Sequence, residues 1–410
     1  MTDSYISFPV LCGSAYLLNF AGMLVLSTSG ATIKSMSKLI PSERKAQYLP
    51  LVLARFTAMS SLLDFLTTPI IGRLSDVYGR KPLLIVTMII SSVCRYFRGK
   101  SKSLSLISYF IYGAVGMISG SAFFTTINAS LSDVYTDKKS LAYANAKLGL
   151  FRGFSFIITP VLLGNLVGKN ITLAFNVSST LTLSAGIIMA MFFRETHTVS
   201  KRKKQGLLES SLSSLFQNPL AFMTLLNKSP RLFWLTISNA FQEFCEPRTM
   251  GTVGQLLMTQ KYDLSPTQYG TSMFYTGITY MLGPFLSQQL FIPNLSPTFF
   301  SFVASVCHSI ALFIKPLGFP FYYYLGMIPG IMGGQRCTFT TAEMTTVAMS
   351  EGIGNGEVAG AKANLDSLLR VIAPIFYGYI YAIDYRYPFW IGSMFTLLSQ
   401  LLFRKSFENQ

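Results

Sequence analysis

The chain has 410 residues, half of them hydrophobic (50%) and only 12% charged. A soluble domain carries about 25% charged residues, so most of this surface cannot face water. An ordinary soluble enzyme is excluded, and the 34 Phe and 21 Tyr exclude a disordered polymer. The formal net charge of +16 sits between long apolar runs, which points to anionic lipid headgroups and topology control rather than nucleic acid.

A spanning helix needs about 20 apolar residues. Twelve stretches qualify: 8–31, 49–71, 83–99, 104–130, 148–168, 171–193, 232–258, 269–291, 297–315, 320–346, 362–384 and 387–404. Lipid offers no partner to backbone N–H or C=O groups, so each is expected to be a helix. The first run lacks a small-residue cleavage site and is read as a span, not a removed signal peptide. Between the sixth and seventh spans, 194–231 is Ser-rich and carries Arg194, Lys201, Arg202, Lys203, Lys204, Lys228 and Arg231. This is the one long polar connection, and it divides the chain into 1–193, a basic linker 194–231, and 232–410. With both termini in the cytoplasm, inner loops hold 16 Lys/Arg, Lys362 among them, and outer loops hold 12, so the positive-inside rule favours that orientation.

A repeat links the two halves. Ala144-Asn145-Ala146-Lys147 matches Ala359-Gly360-Ala361-Lys362, and Phe124-Thr125-Thr126 matches Phe339-Thr340-Thr341, both at an offset of 215. Pro160 and Gly164 match Pro374 and Gly378 at 214. Parallel six-helix repeats about an axis along the membrane normal are a transporter architecture.

Five Cys (12, 94, 245, 307, 337) show no CxxC spacing, and two His stand far apart. No metal site, disulfide framework or cofactor is expected. No GxxxxGK(S/T) loop is present, so no nucleotide-driven pump is expected.

After the second span comes Gly72-Arg73-Leu74-Ser75-Asp76-Val77-Tyr78-Gly79-Arg80-Lys81-Pro82. It reads as a tight charged inner turn. Gly79 permits a positive φ, Pro82 suits the first turn of the next helix, and Asp76 can accept from Arg80 or from orphan N–H groups. The stretch resembles the signature loop of the major facilitator superfamily, G-x-L-(S/A)-D-x-x-G-R-(K/R). Ser132-Asp133-Val134 with Lys138-Lys139 looks like the companion loop after the fourth span. Gly149, Gly153, Pro160 and Gly164 look like the antiporter pattern of the fifth. Arg194-Glu195-Thr196 is similar to the end of the sixth span, with Arg for Pro, and Asp263 through Gly270 to the loop entering the eighth. These loops look most like the tetracycline-antiporter-like branch. The resemblance implies an all-α membrane protein with twelve transmembrane helices in two pseudo-symmetric six-helix bundles.

An ionisable residue inside a span is costly and is a functional candidate by default. Asn239, Gln242, Glu243 and Glu246 fall at i, i+3, i+4 and i+7 on the seventh span, one polar face of a helix; the tenth repeats the idea with Arg336, Thr340 and Glu343. The resemblance implies that these stripes line a central cavity with Asn19, Thr125 and Asn128, and that Asp64 faces it too. Arg152 and Asp366 occupy equivalent repeat positions with opposite charge, which suggests that they pair; Arg370 lies one turn beyond Asp366. Asp64, Glu243, Glu246 or Glu343 would exchange a proton as the site wets and dries. Arg152, Arg336 or Arg370 would hold an anionic group. A zwitterion, an anion with a proton, and a polar drug all stay open as cargo. His308 reads as a hydrogen-bonded bundle residue. Asn170-Ile171-Thr172 is a glycosylation sequon pressed against two spans.

The expected protein is therefore a secondary active transporter of a small solute working by alternating access, driven by a proton or solute gradient. Its expected partners are a small-molecule substrate, protons and the lipid bilayer, with no nucleic acid, and a monomer suffices. Gly72, Arg73, Asp76, Gly79, Arg80 and Lys81 would form the inner gate. The alternative is a non-transporting sensor or assembly partner that keeps the fold.

Overall fold

The structure is a computed structural model that describes residues 2–27, 45–100, 106–135, 144, 148, 151, 153–159, 170–196, 222–287, 294–353 and 355–408. Those residues are helical or lie in turns, with no strand among them. The helices are α1 (Thr2–Ser27), α2 (Lys45–Tyr78), α3 (Arg80–Lys100), α4 (Leu106–Val134), α5 (Ile171–Phe192) and α6 (Met223–Asn227). Then follow α7 (Pro230–Phe244), α8 (Pro247–Leu256), a π-helical turn at Leu257–Lys261, α9 (Pro266–Leu286) and α10 (Pro297–Ile314). The last are α11 (Pro320–Leu325), α12 (Met327–Gly333), α13 (Cys337–Ser350), α14 (Asn355–Ile383) and α15 (Tyr387–Glu408). Of the expected fifth span, residues 153–159 are helical and the rest lies largely outside the described set.

Five helical segments among the described residues are long and apolar enough to cross a membrane: Phe8–Val25, Tyr48–Thr68, Arg80–Lys100, Ile107–Leu131 and Thr172–Phe192. Large apolar side chains stand exposed along them and along later helices, Ile107, Met191, Ile383 and Leu401 among them. Apolar surface of that extent is stable against hydrocarbon, not water.

Starts are written locally. Ser229 and Ser296 each accept from the backbone N–H three residues on, and each precedes a Pro at the first helical position. The hydroxyl caps an orphan donor, and Pro has no N–H to leave unmet. At α9, Ser265 and Gln268 cap one another reciprocally, Ser265 N to Gln268 Oε1 at 2.9 Å and Gln268 N to Ser265 Oγ at 3.3 Å. Asn170 of the sequon is itself a cap, its side chain accepting from Leu173 N at 3.3 Å.

Two expected spans are not continuous. The seventh breaks at Cys245 and Glu246, because Pro247 pushes the residue before it out of the helical region; Glu246 has φ −72° and ψ 151°. The tenth breaks at Gly326, between α11 and α12, and again at Gly334, Gln335 and Arg336, between α12 and α13. Gly333, at the edge of the second break, lets the chain come close to α10, since a Cβ there would meet the His308 backbone at 2.8 Å.

The chain forms two compact units, one comprising Met1–Met36, Leu63–Gln217 and Ser265–Gly277, the other Ser37–Leu62, Asn218–Leu264 and Ile278–Gln410. The first has a core of Leu11, Ala15, Leu84, Met88, Phe123, Ile127, Ala185 and Met189. Its helices are drawn close by small polar residues: Ser92 and Ser179 each donate to the other's carbonyl, at 2.9 and 2.8 Å. The second has a core of Leu232, Leu235, Met344, Val347, Ala361 and Phe403, tied by Ser238 Oγ donating to Ser399 O at 2.7 Å.

Gly333→Ala is expected to force α10 and α12 apart and cost about 1–3 kcal/mol, the usual range for overpacking. The check is a thermal melt of the purified protein in detergent; an unchanged melting temperature contradicts the close approach.

Candidate functional site

In the first unit, the signature loop is a helix-to-helix corner. α2 continues through Tyr78, beyond the expected end of the second span, and Gly79 turns the chain at φ +100°. Gly72, Arg73 and Asp76 continue α2, and their side chains lie outside the described set. Arg80 is buried; its Nε donates to Asp133 Oδ2 at 3.0 Å and its Nη1 to Ser75 Oγ. The Glu195 carboxylate accepts from the backbone N–H of Arg80 at 2.9 Å and of Lys81 at 3.1 Å. Those N–H groups open α3 and have no partner within the helix, so a carboxylate there satisfies them and opposes the helix dipole. Three motif segments thus meet at one point: the loop after the second span, the end of the fourth and the end of the sixth.

In the second unit, charge collects around the break in the seventh span and the second break in the tenth. Arg336 is fully buried and sits in the second break of the tenth span. Its guanidinium meets Glu246 Oε1 at 2.8 Å and also donates to Gln242 O at 2.8 Å and Gly333 O at 3.2 Å. Those carbonyls are available because the helices end there. A fully buried cation needs such a set of partners to be tolerated.

The other stripe residues fall beside this pair. Gln242 Nε2 donates to Thr340 Oγ1 at 3.0 Å, and Thr341 Oγ1 to Asn239 Oδ1 at 3.3 Å. Glu243 receives Lys362 Nζ at 3.3 Å, and Lys362 also holds Asp366 at 2.8 Å, one turn along α14. Glu343 pairs with Arg231 at 2.6 Å. Arg370 is half-buried on α14, one turn beyond Asp366. Thr249 repairs the break that Pro247 makes: its hydroxyl lies 2.8 Å from Phe244 O and 2.7 Å from Glu246 O.

Other expected residues bond locally. Asn19 Nδ2 donates to Ala15 O at 2.9 Å, and Thr125 Oγ1 to Ser121 O at 3.0 Å, each within its own helix. Asn128 is exposed and Asp64 half-buried. Arg152 lies outside the described residues, so the expected pairing with Asp366 does too; the ion partner that Asp366 has among the described residues is Lys362. Lys362, a loop charge by the sequence count, is instead part of this network. Its signal is its place four residues before Asp366, the spacing of one helix face. His308 is buried, with Nε2 3.2 Å from Cys245 O.

Long helices with exposed apolar faces, interrupted where charged groups meet, define a multi-pass membrane protein of the carrier type. The chain belongs to the Major Facilitator Superfamily, whose family model matches residues 14–361. Among curated relatives it is similar to the class H tetracycline resistance protein of Pasteurella multocida, 23% identical over 352 residues, covering 83% of this chain and 81% of that one. It is similar also to multidrug resistance protein 1 of Bacillus subtilis (strain 168), 24% identical, with 82% of each chain covered. The fold matches that of the human organic anion transporter MFSD10 (TETRAN), with TM-score 0.68 and 17% identity over 98% of this chain and 99% of that one. It matches the POT family transporter PepTSo with TM-score 0.71 and 10% identity over 98% and 97%.

Both the break in the seventh span and the charged corner can be probed through stability. Thr249→Val removes the hydroxyl from the carbonyls at the break and should cost about 1–3 kcal/mol, while Thr249→Ser keeps most of the stability. Equal melting of both variants with the parent contradicts the repair role. Glu195→Ala should cost about 1–2 kcal/mol through the uncapped start of α3; a melt within error of the parent contradicts it.

Proposed function

We propose that the protein is a secondary active transporter that carries a small solute across the membrane by alternating access, driven by a proton or solute gradient. Both termini lie in the cytoplasm, two six-helix halves flank the linker 194–231, and a monomer suffices. The observation that carries this reading is the fully buried Arg336 joined to Glu246 at 2.8 Å where two helices are interrupted. A sealed structural core gains little from such a pair, because apolar side chains of the same volume serve as well. A carrier needs it, because interrupted helices present backbone and charge to a solute at membrane depth. The drug-resistance relatives and the organic anion transporter of the same fold are consistent with an organic cargo.

Asn239, Gln242, Thr340 and Arg336 hold the solute; Asp64, Glu243, Glu246 or Glu343 takes the proton; Asn19, Thr125, Asn128, Arg152, Asp366 and Arg370 complete the polar path. Gly72, Arg73, Asp76, Gly79, Arg80 and Lys81 form the inner gate. A metabolite and drug screen in proteoliposomes should find gradient-driven uptake in the parent that is lost in Asp76→Asn and Arg336→Gln. At least one of Asp64→Asn, Glu243→Gln, Glu246→Gln and Glu343→Gln should lose driven uptake but keep exchange. A parent protein that moves nothing across the panel favours the sensor reading instead.

A further inference from the structure

One end of the first unit carries cations without carboxylates. The helices α1, α3, α4 and α5 bring two acids between them, Asp3 and Asp133, and both stand at the end where α3 begins. No Asp or Glu occurs at 4–42, 77–132 or 138–194. The other end of α3 holds Arg95, Arg98 and Lys100. At about 1.5 Å per residue, Arg95 lies about 8 Å and Arg98 about 3 Å short of that end. That is close to the level of lipid headgroups, well away from the middle of the hydrocarbon.

A cation near a span end ordinarily reaches outward to water. Arg95 is instead half-buried and turned into the unit. Its Nη1 donates to Ser178 Oγ on α5 at 2.9 Å, and a Cβ at Gly22 of α1 would stand 3.8 Å from its Nη2. Ser178 in turn donates to Ala21 O at 2.6 Å, which fixes that hydroxyl between α1 and α5. A neutral oxygen thus answers one of the five N–H donors of a charge that cannot be lost, and Arg95 has no ion pair among the described residues. Arg98 stands three residues on, on the same face of α3. Its guanidinium carbon lies 4.3 Å from the centre of the Tyr109 ring and 5.9 Å from that of Phe175. Aromatic faces hold a cation without neutralising it. Like charges at i and i+3 repel; an anion against both turns that repulsion into attraction.

We propose that Arg95 and Arg98 form a site for the phosphate group of an anionic phospholipid, at the end of the first unit away from the signature loop. A guanidinium suits that group, because its planar fork can give two parallel N–H···O bonds to phosphate oxygens. A lipid fits better than a soluble anion, because Phe97 on α3 and Ile107 and Ile111 on α4 stand exposed at this same end. They offer acyl chains an apolar wall near the charge. The headgroup brings the negative charge that the four helices lack there. The site belongs to the first unit and does not depend on the transporter reading.

The test is native mass spectrometry of the full chain in neutral detergent, titrated with phosphatidylglycerol or with phosphatidylcholine of the same acyl chains. The parent should retain phosphatidylglycerol at least about tenfold more tightly, the worth of one charge-assisted hydrogen bond. Arg95→Ala and Arg98→Ala should each lose about tenfold in phosphatidylglycerol affinity and keep the weak binding of phosphatidylcholine. Arg404→Ala, which removes an exposed cation of α15, should bind as the parent does. Inorganic phosphate and glycerophosphoglycerol, the headgroup without its chains, should not displace the lipid at equal concentration. Equal retention of the two lipids by the parent overturns the inference and needs no variant to fold. Parent-like affinity in both Arg95→Ala and Arg98→Ala, or an equal loss in Arg404→Ala, overturns it too. Displacement by inorganic phosphate at equal concentration shows a site for a soluble anion and refutes the lipid.

Discussion

A fully buried guanidinium sets the terms for the second unit. Arg336 cannot lose its charge, so every group near it must answer that charge. Glu246 does so with a carboxylate, and Gln242 and Gly333 do so with carbonyls. Those carbonyls exist as acceptors because their helices stop. The breaks in turn come from sequence: Pro247 displaces Glu246 from helical geometry, and Gly333 admits the backbone of His308. Local chain chemistry, helix interruption and buried charge form one causal line. Removing any of them leaves the others without a reason.

The first unit solves a different problem with the same means. A charged corner between two spans leaves N–H donors at the start of α3, and Glu195 from the far end of the unit accepts two of them. Arg80 then reaches Asp133. The corner is held by partners brought from three sequence segments, so it is fixed only when those segments have folded together. That makes the signature loop part of the packing of the unit as well as a candidate gate.

Much of the fold is legible in the sequence because lipid imposes a simple rule: long apolar runs become helices. Caps are legible too, as Ser-Pro pairs. The signature loop announces the family through residues whose roles are local, such as Gly79. What escapes a reading of the chain is the interior of the seventh and tenth spans. A hydropathy window averages across a break, and the polar stripe Asn239, Gln242, Glu243 and Glu246 reads as one unbroken face. Charged candidates can be named because charge in a span is rare. Their partners cannot, because Arg336 with Glu246 and Lys362 with Glu243 meet only through packing of distant segments. Lys362 looks like a loop charge because it stands near a span end.

The most direct measurement replaces the buried pair by apolar side chains, Arg336→Met with Glu246→Leu, and follows both melting and gradient-driven uptake of the solute found in the transport screen. A double variant that melts close to the parent and no longer takes up the solute is the predicted result, because the pair then serves transport and not packing. A double variant that keeps the parent's driven uptake would contradict a transport role for the buried charge.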